Sequence, residues 1–181
     1  MRDTIDGYGA VTRIAHWMMA ILILGLAALG AWMVGLDYYS PYYTRAPGLH
    51  RSLGILTGAL LIARFLWVLS NARPVNPELS RVERITATFV QWSFYPLIAT
   101  IVVSGYLIAT TDGRAIDIFG IFSLPSAITD RSMTDRAGLA HRWIAYGTMV
   151  LVAVHTAAAL KHHFWDRNSV LKRMVSGSSN T

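Results

Sequence analysis

Four long, nearly uncharged apolar stretches constrain this chain more than any other feature. They run roughly from Ile14 to Leu36, Leu49 to Leu69, Thr86 to Ala109 and Gly138 to Phe164. About 20 apolar residues, each rising 1.5 Å, cross the hydrocarbon core of a bilayer as a helix. Backbone N–H and C=O groups find no water there, so each stretch must bond to itself. The chain is 54% hydrophobic and 14% charged, whereas soluble domains average about 25% charged residues. The expected fold class is therefore all-α: an integral membrane four-helix bundle. It is expected to form one domain over residues 1–174, with a disordered tail at 175–181.

The connecting segments agree with this division. Tyr38, Tyr39, Tyr42 and Tyr43 follow the first span, at the headgroup depth that tyrosine favours. NARPVNPELSRVER, rich in proline and charge, reads as a loop. Pro96 lies inside the third span and should kink it. Between Thr110 and Arg136 the apolar run IDIFGIFSLP is too short to cross and is expected on the surface. The first apolar run is longer than a signal-peptide core and three more follow it, so it is read as a retained span.

Four spans put both termini on one side. That side carries ten basic residues: Arg2, Arg13, Arg64, Arg73, Arg81, Arg84, Lys161, Arg167, Lys172 and Arg173. The other carries six: Arg45, Arg51, Arg114, Arg131, Arg136 and Arg142. Ten against six favours cytoplasmic termini. The net charge of +6 is ascribed to loop basicity, and no nucleic-acid partner is expected. The six outer cations face five outer acids, Asp37, Asp112, Asp117, Asp130 and Asp135, so bulk steering of an anion should be weak.

With no cysteine, the chain can form neither disulfides nor thiolate-ligated iron–sulfur clusters, nor can it attach haem covalently. Histidine is then the informative ligand. His16 begins span one at inner depth; His50 and His141 open spans two and four at outer depth. His155 follows His141 by fourteen residues, about 21 Å along a helix and within about 40° of whole turns. By depth, His16 pairs with His155, and His50 with His141. Ionisable residues within membrane spans mark functional sites by default. A zinc site needs three or four ligands at one place, whereas two imidazoles from facing helices suit a low-spin haem. The expectation is two haem b groups stacked across the bilayer. The irons would be bound by His16 and His155 inside and by His50 and His141 outside. Gly25, Gly30, Gly54, Gly58 and Gly147 are expected to line the haem faces.

His162 lies seven residues beyond His155 and about 20° off its face. At the inner boundary it is a candidate hydrogen-bond partner for a quinone headgroup, with Lys161 or His163 beside it. Arg51 and Arg142 each follow an outer ligand and are candidate partners for haem propionates.

The segments AHW at 15–17, LHRSLGIL at 49–56, SGYL at 104–107, AHRW at 140–143 and HTAAALKHHFWDRNSVLKRM at 155–174 resemble the bacterial cytochrome b561 family. The resemblance covers almost the whole chain. It implies a four-helix di-haem protein of the inner membrane, with ligands at His16, His50, His141 and His155. One activity found in that family is oxidation of superoxide at the outer haem with electrons passed to ubiquinone near the inner haem; the resemblance offers it as one option, with the quinone-contacting histidine at His162. APGLHRSLGIL and SGYLIATTDGRAIDIFGIFSLP are closer to a subgroup linked to periplasmic lipocalin-like partners. Two functions are therefore carried forward. One is superoxide:ubiquinone electron transfer. The other is an electron-transfer module for a periplasmic redox protein, docking through Phe119 and Phe122. A hydrogenase or formate-dehydrogenase anchor is disfavoured, since no large extra partner-binding region is present.

Overall fold

A computed structural model of the protein describes residues 2–5, 7–72, 74–75 and 77–177. The end of the expected disordered tail, from 178 on, lies outside the described residues, as does Arg73 of the inner basic set. Five helices and one hairpin follow in order: α1 Ala10–Met33, α2 Arg45–Leu69, α3 Arg81–Thr110, β1 Ile116–Ile118, β2 Phe122–Leu124, α4 Met133–Phe164 and α5 Val170–Val175. The first four helices are each long and apolar enough to cross a membrane. Many of their large side chains face outward, among them Ile21, Phe89 and Val150, at 70%, 72% and 65% exposure. Such an exterior suits lipid and would be untenable in water.

Each span begins about a turn before its expected start. Polar first turns do not register as apolar stretches, yet the first N–H groups of a helix have no partner within it and favour polar surroundings. At α3 the reason is explicit. Ser80 and Glu83 form a capping box: the Glu83 amide donates to Ser80 Oγ at 3.3 Å, and the Ser80 amide donates to the Glu83 carboxylate at 2.9 Å. Pro96 lies within α3, which continues through it.

α1 packs on α2, α2 on α3 and α3 on α4, so the spans follow one another around the interior. The central contact is Met19, Leu61 and Ile98, backed by Phe94, Tyr95 and Val102. At Gly58 an added Cβ would come within 2.9 Å of Val102, so this glycine serves α2–α3 contact, not a cofactor face. Two buried hydroxyls return to their own helices. Thr57 donates to the Leu53 carbonyl at 2.8 Å and Thr110 to that of Tyr106 at 2.9 Å, which satisfies them without water.

The edge that carries both ends of the chain is sewn together by polar bonds. Thr12 is almost fully buried; its hydroxyl donates to Asp3 at 2.8 Å and accepts the Trp67 indole N–H at 2.9 Å. Arg64 donates to the Thr12 carbonyl at 3.2 Å. Burial raises the Tyr8 phenol above its ordinary value of 10.0, and its neighbour Arg173 opposes this. α5 adds a short helix within the range expected as a single domain. Arg13 donates to the Val175 carbonyl at 2.7 Å and Trp17 to that of Met174 at 3.2 Å. Val175, expected to open the disordered tail, thus ends a docked helix.

At the opposite edge, the segment expected as a surface loop is a β-hairpin with register Ile116↔Leu124 and Ile118↔Phe122. Ile116 and Ile118 are buried, while Phe119, Ile121 and Phe122 are exposed. Phe119 and Gly120 both have positive φ, 55° and 71°, in the three-residue connection 119–121, where the Ile121 amide donates to the Ile118 carbonyl at 3.0 Å. Ser52 fastens the hairpin to α2, donating to the Asp117 carbonyl and accepting the Phe119 amide, both at 3.2 Å.

Candidate functional site

Two histidine pairs occupy the interior at two depths. His50 on α2 and His141 on α4 have ring centroids 6.2 Å apart, with planes at 69°. His16 on α1 and His155 on α4 are 6.4 Å apart, with planes at 62°. A metal–imidazole bond is about 2.0 Å, and a ring centroid lies about 1.1 Å behind its nitrogen, so trans imidazoles on one metal hold centroids roughly 6.2 Å apart. Both separations fit two imidazoles sharing one metal between them.

The surroundings of the outer pair fit a fixed ligand. His141 Nδ1 lies 2.9 Å from the Ile101 carbonyl and 3.2 Å from Ser104 Oγ. The carbonyl can only accept, so Nδ1 carries the hydrogen and Nε2 keeps its lone pair for a metal. Ser104 is itself held, donating to the Thr100 carbonyl at 2.6 Å. A Cβ on Gly105 would approach His141 Cε1 to 3.1 Å, and one on Gly30 would approach His50 Cε1 to the same distance. These two glycines let a backbone stand directly behind each imidazole. Gly30, expected at a haem face, stands against the His50 ring. A Cβ on Gly25, Gly54 or Gly147 would meet nothing within 4 Å, as a residue lining a plate-shaped group would need. His50 Nδ1 is buried without a partner among the described residues.

The inner pair is held by aromatic rings. Trp17 packs edge-on to His16 at 5.3 Å and Phe94 to His155 at 5.7 Å. Midway between His141 and His155 on α4 stands Thr148, fully buried, with an Oγ1 that has no partner among the described residues. Ser104, Gly105, Phe94 and Thr148 were not singled out by the sequence reading. SGYL was legible as a segment resembling the family, but its placement behind His141 depends on how α3 and α4 face each other. Thr148 had a readable signal, since it lies seven residues from each α4 histidine.

His162 ends α4 with its side chain 14% exposed; its Nδ1 lies 2.7 Å from the Asp166 carboxylate. Lys161 reaches the same carboxylate at 2.7 and 3.1 Å. This hydrogen bond is the main cause that holds Asp166 below its ordinary pKa, with His162 a smaller one. The ring of His163 turns onto Phe164. Glu83, His162 and Asp166 each offer a ligand atom within 4.8 Å of the others.

Arg51 and Arg142 are both exposed. Arg51 donates to the Pro47 carbonyl at 3.1 Å and, with Arg45, lines an outer groove of about 420 Å³ between α2 and the hairpin.

A family model described as prokaryotic cytochrome b561 matches residues 7–177. The chain is 42% identical over 179 residues to cytochrome b561 homolog 2 of Escherichia coli (strain K12), covering 98% of this chain and 95% of that protein. It is 24% identical over 164 residues to a protein of Yersinia pestis named probable superoxide oxidase CybB, covering 88% and 90% of the two chains.

Proposed function

The chain belongs to the prokaryotic cytochrome b561 family of membrane electron-transfer proteins, and from that premise we propose that it carries two haem b groups and passes single electrons between a periplasmic partner and membrane quinone. It is a multi-pass bacterial membrane protein whose family implies haem b. The two histidine pairs, with ring separations of 6.2 and 6.4 Å, carry the reading. His50 and His141 would bind the outer iron, His16 and His155 the inner. A haem b bound between each pair supplies reversible one-electron chemistry.

The remaining work falls to the chain itself. Ile101 and Ser104 hold the His141 tautomer, and Gly30 and Gly105 admit the imidazoles behind which they stand. Arg51 and Arg142 are available to propionates at the outer edge. The basic bias supports cytoplasmic termini, which puts His50 and His141 towards the periplasm and His162 towards the cytoplasm.

The outer reductant in this reading is superoxide, and the inner oxidant is ubiquinone hydrogen-bonded by His162. Two superoxide anions would each lose one electron and leave as dioxygen. One quinone would take both electrons and two protons and leave as quinol. The outer groove sets Arg45 and Arg51 against one acid, Asp117, a small local excess of positive charge on a nearly neutral outer face. The test has two parts. A reduced-minus-oxidised spectrum of the purified protein, with haem quantified, should give two b haems per chain; fewer than one would overturn the core of the reading. Stopped-flow mixing of oxidised protein with superoxide should reduce haem faster than background, and no such reduction would remove superoxide from the reading.

A second reading rests on the hairpin tip. Phe119, Ile121 and Phe122 are 47%, 80% and 55% exposed beside the outer site. Such a patch suits docking of a periplasmic redox protein. Quinol-driven haem reduction without any response to superoxide would favour it, as would loss of a co-purifying partner on replacing Phe119 and Phe122.

A further inference from the structure

Beyond α4 the chain doubles back on itself at a cost. Arg167 is a non-glycine residue in the left-handed region, with φ 52°, a conformation that L side chains rarely adopt. Such strain persists where the surroundings over-determine it and is a reason to look for a role. Its effect here is to return two side chains to His162. The Asn168 amide donates to the His162 carbonyl at 3.0 Å, closing the turn. Asp166 then lies 2.7 Å from His162 Nδ1, and the Asn168 side chain 3.3 Å from the same nitrogen.

The two contacts compete for one nitrogen. Asp166 is ionised and can only accept, because Lys161 holds its carboxylate at 2.7 and 3.1 Å. The shorter, charge-assisted contact prevails, so His162 carries its hydrogen on Nδ1 and keeps Nε2 free. The imidazole is mostly covered, at 14% exposure, while Asp166 and Lys161 reach water at 29% and 56%. On the aqueous side a groove of about 240 Å³ is lined by Glu78, Glu83, Asp166, Arg167 and Asn168.

We propose that Asp166 is the positioning residue for quinone at His162: the turn through Arg167 brings its carboxylate onto Nδ1, fixing the ring's tautomer and leaving Nε2 as the nitrogen that meets a quinone oxygen. This inference rests on the quinone reading of His162 given above. When the ring takes a second proton, from water at the inner boundary, that proton sits on Nε2 and Asp166 is its counter-charge. Reduction of the quinone consumes two electrons, delivered singly from the outer one-electron donor, and two protons. His162 delivers a proton from Nε2 to a quinone oxygen, returns to the Nδ1–H form, and is recharged from water. Asp166 does not touch the quinone and itself neither gains nor loses a proton. Neither relative's name assigns a role to this carboxylate.

Nitrogen-15 NMR of the His162 ring in detergent-solubilised holoprotein tests the tautomer directly, with His162→Gln assigning the signal. In alkaline solution the native protein should show Nδ1–H, Asp166→Asn should lose that preference, and Asp166→Glu should restore it. In parallel, the KM for a short-chain ubiquinone analogue should rise about tenfold in Asp166→Asn, the size of one lost charge-assisted hydrogen bond, and recover in Asp166→Glu. An unchanged spectrum and haem content would show that the variants fold. If Asp166→Asn keeps both the Nδ1–H form and the native KM while His162→Gln impairs quinone reduction, the positioning role is overturned and the quinone reading stands. If His162→Gln leaves quinone kinetics unchanged, the quinone reading itself fails, and this inference with it.

Discussion

The outer and inner histidine pairs are nearly equal in ring separation and differ in what holds them. The outer pair is set largely by backbone: the Ile101 carbonyl, with the Ser104 hydroxyl beside it, on His141 Nδ1, and glycines behind both rings, where an added Cβ would come to 3.1 Å. The inner pair is set by side chains, with Trp17 and Phe94 edge-on to the imidazoles and Trp17 bonded to the Met174 carbonyl near α5. A backbone carbonyl and a missing Cβ leave little freedom, whereas aromatic packing tolerates small shifts. The outer site is therefore the stiffer, and the inner one is coupled to the chain's C-terminal arm.

Removing a ligand should break the comparison most strongly. In the two-haem reading, His50→Ala is expected to lose the outer haem and keep the inner, and His155→Ala the reverse, each leaving about one haem per chain by pyridine haemochrome assay. Loss of both from either variant would show that the sites are not separable. The next effect is steric. Gly105→Val forces the His141 ring aside, at an overpacking cost of about 1–3 kcal/mol. Outer-haem occupancy should fall while the inner spectrum holds, as low-temperature difference spectra would report.

Ser104→Ala is gentler, because Ile101 still accepts from Nδ1. A loss of about 0.5–1 kcal/mol corresponds to a change of roughly 20–40 mV in the outer midpoint potential, with the inner unmoved in a redox titration. A shift in the inner potential instead would mean that the assignments are exchanged.

The smallest effect concerns pH. Asp166 has a folded pKa below its ordinary 3.8, so its contacts with Lys161 and His162 are fully present above that value. They are lost as pH falls through the lowered folded value. Thermal unfolding followed from pH 6 down to pH 3 should show an acid destabilisation that Asp166→Asn reduces. Identical curves for the two proteins would mean that the turn adds nothing to stability.

Much of this organisation was legible because it is local. The spans follow from apolar length, and the depth pairs follow from the fourteen-residue spacing of His141 and His155 on one helix. The extra first turns were less visible, although Ser80-x-x-Glu83 announced one of them. The hairpin at 116–124 was hidden because its strands are only three residues long and are held by a tertiary bond from Ser52. Gly30 was assigned to a haem face because a glycine in a span reads the same whether it borders a cofactor or stands behind a ligand.

The sequence by itself determined four crossings, their order and the depth at which each histidine lies, since helical rise and apolar length are properties of one segment. Only the tertiary structure decided how the helices are rotated against one another. That rotation puts Ile101, Ser104 and Gly105 of α3 behind His141, and it brings the rings of the two pairs to 6.2 and 6.4 Å. The reversal after α4 likewise brings Asp166 to His162. These contacts join separate segments or depend on a strained turn, and no periodicity along the chain encodes them.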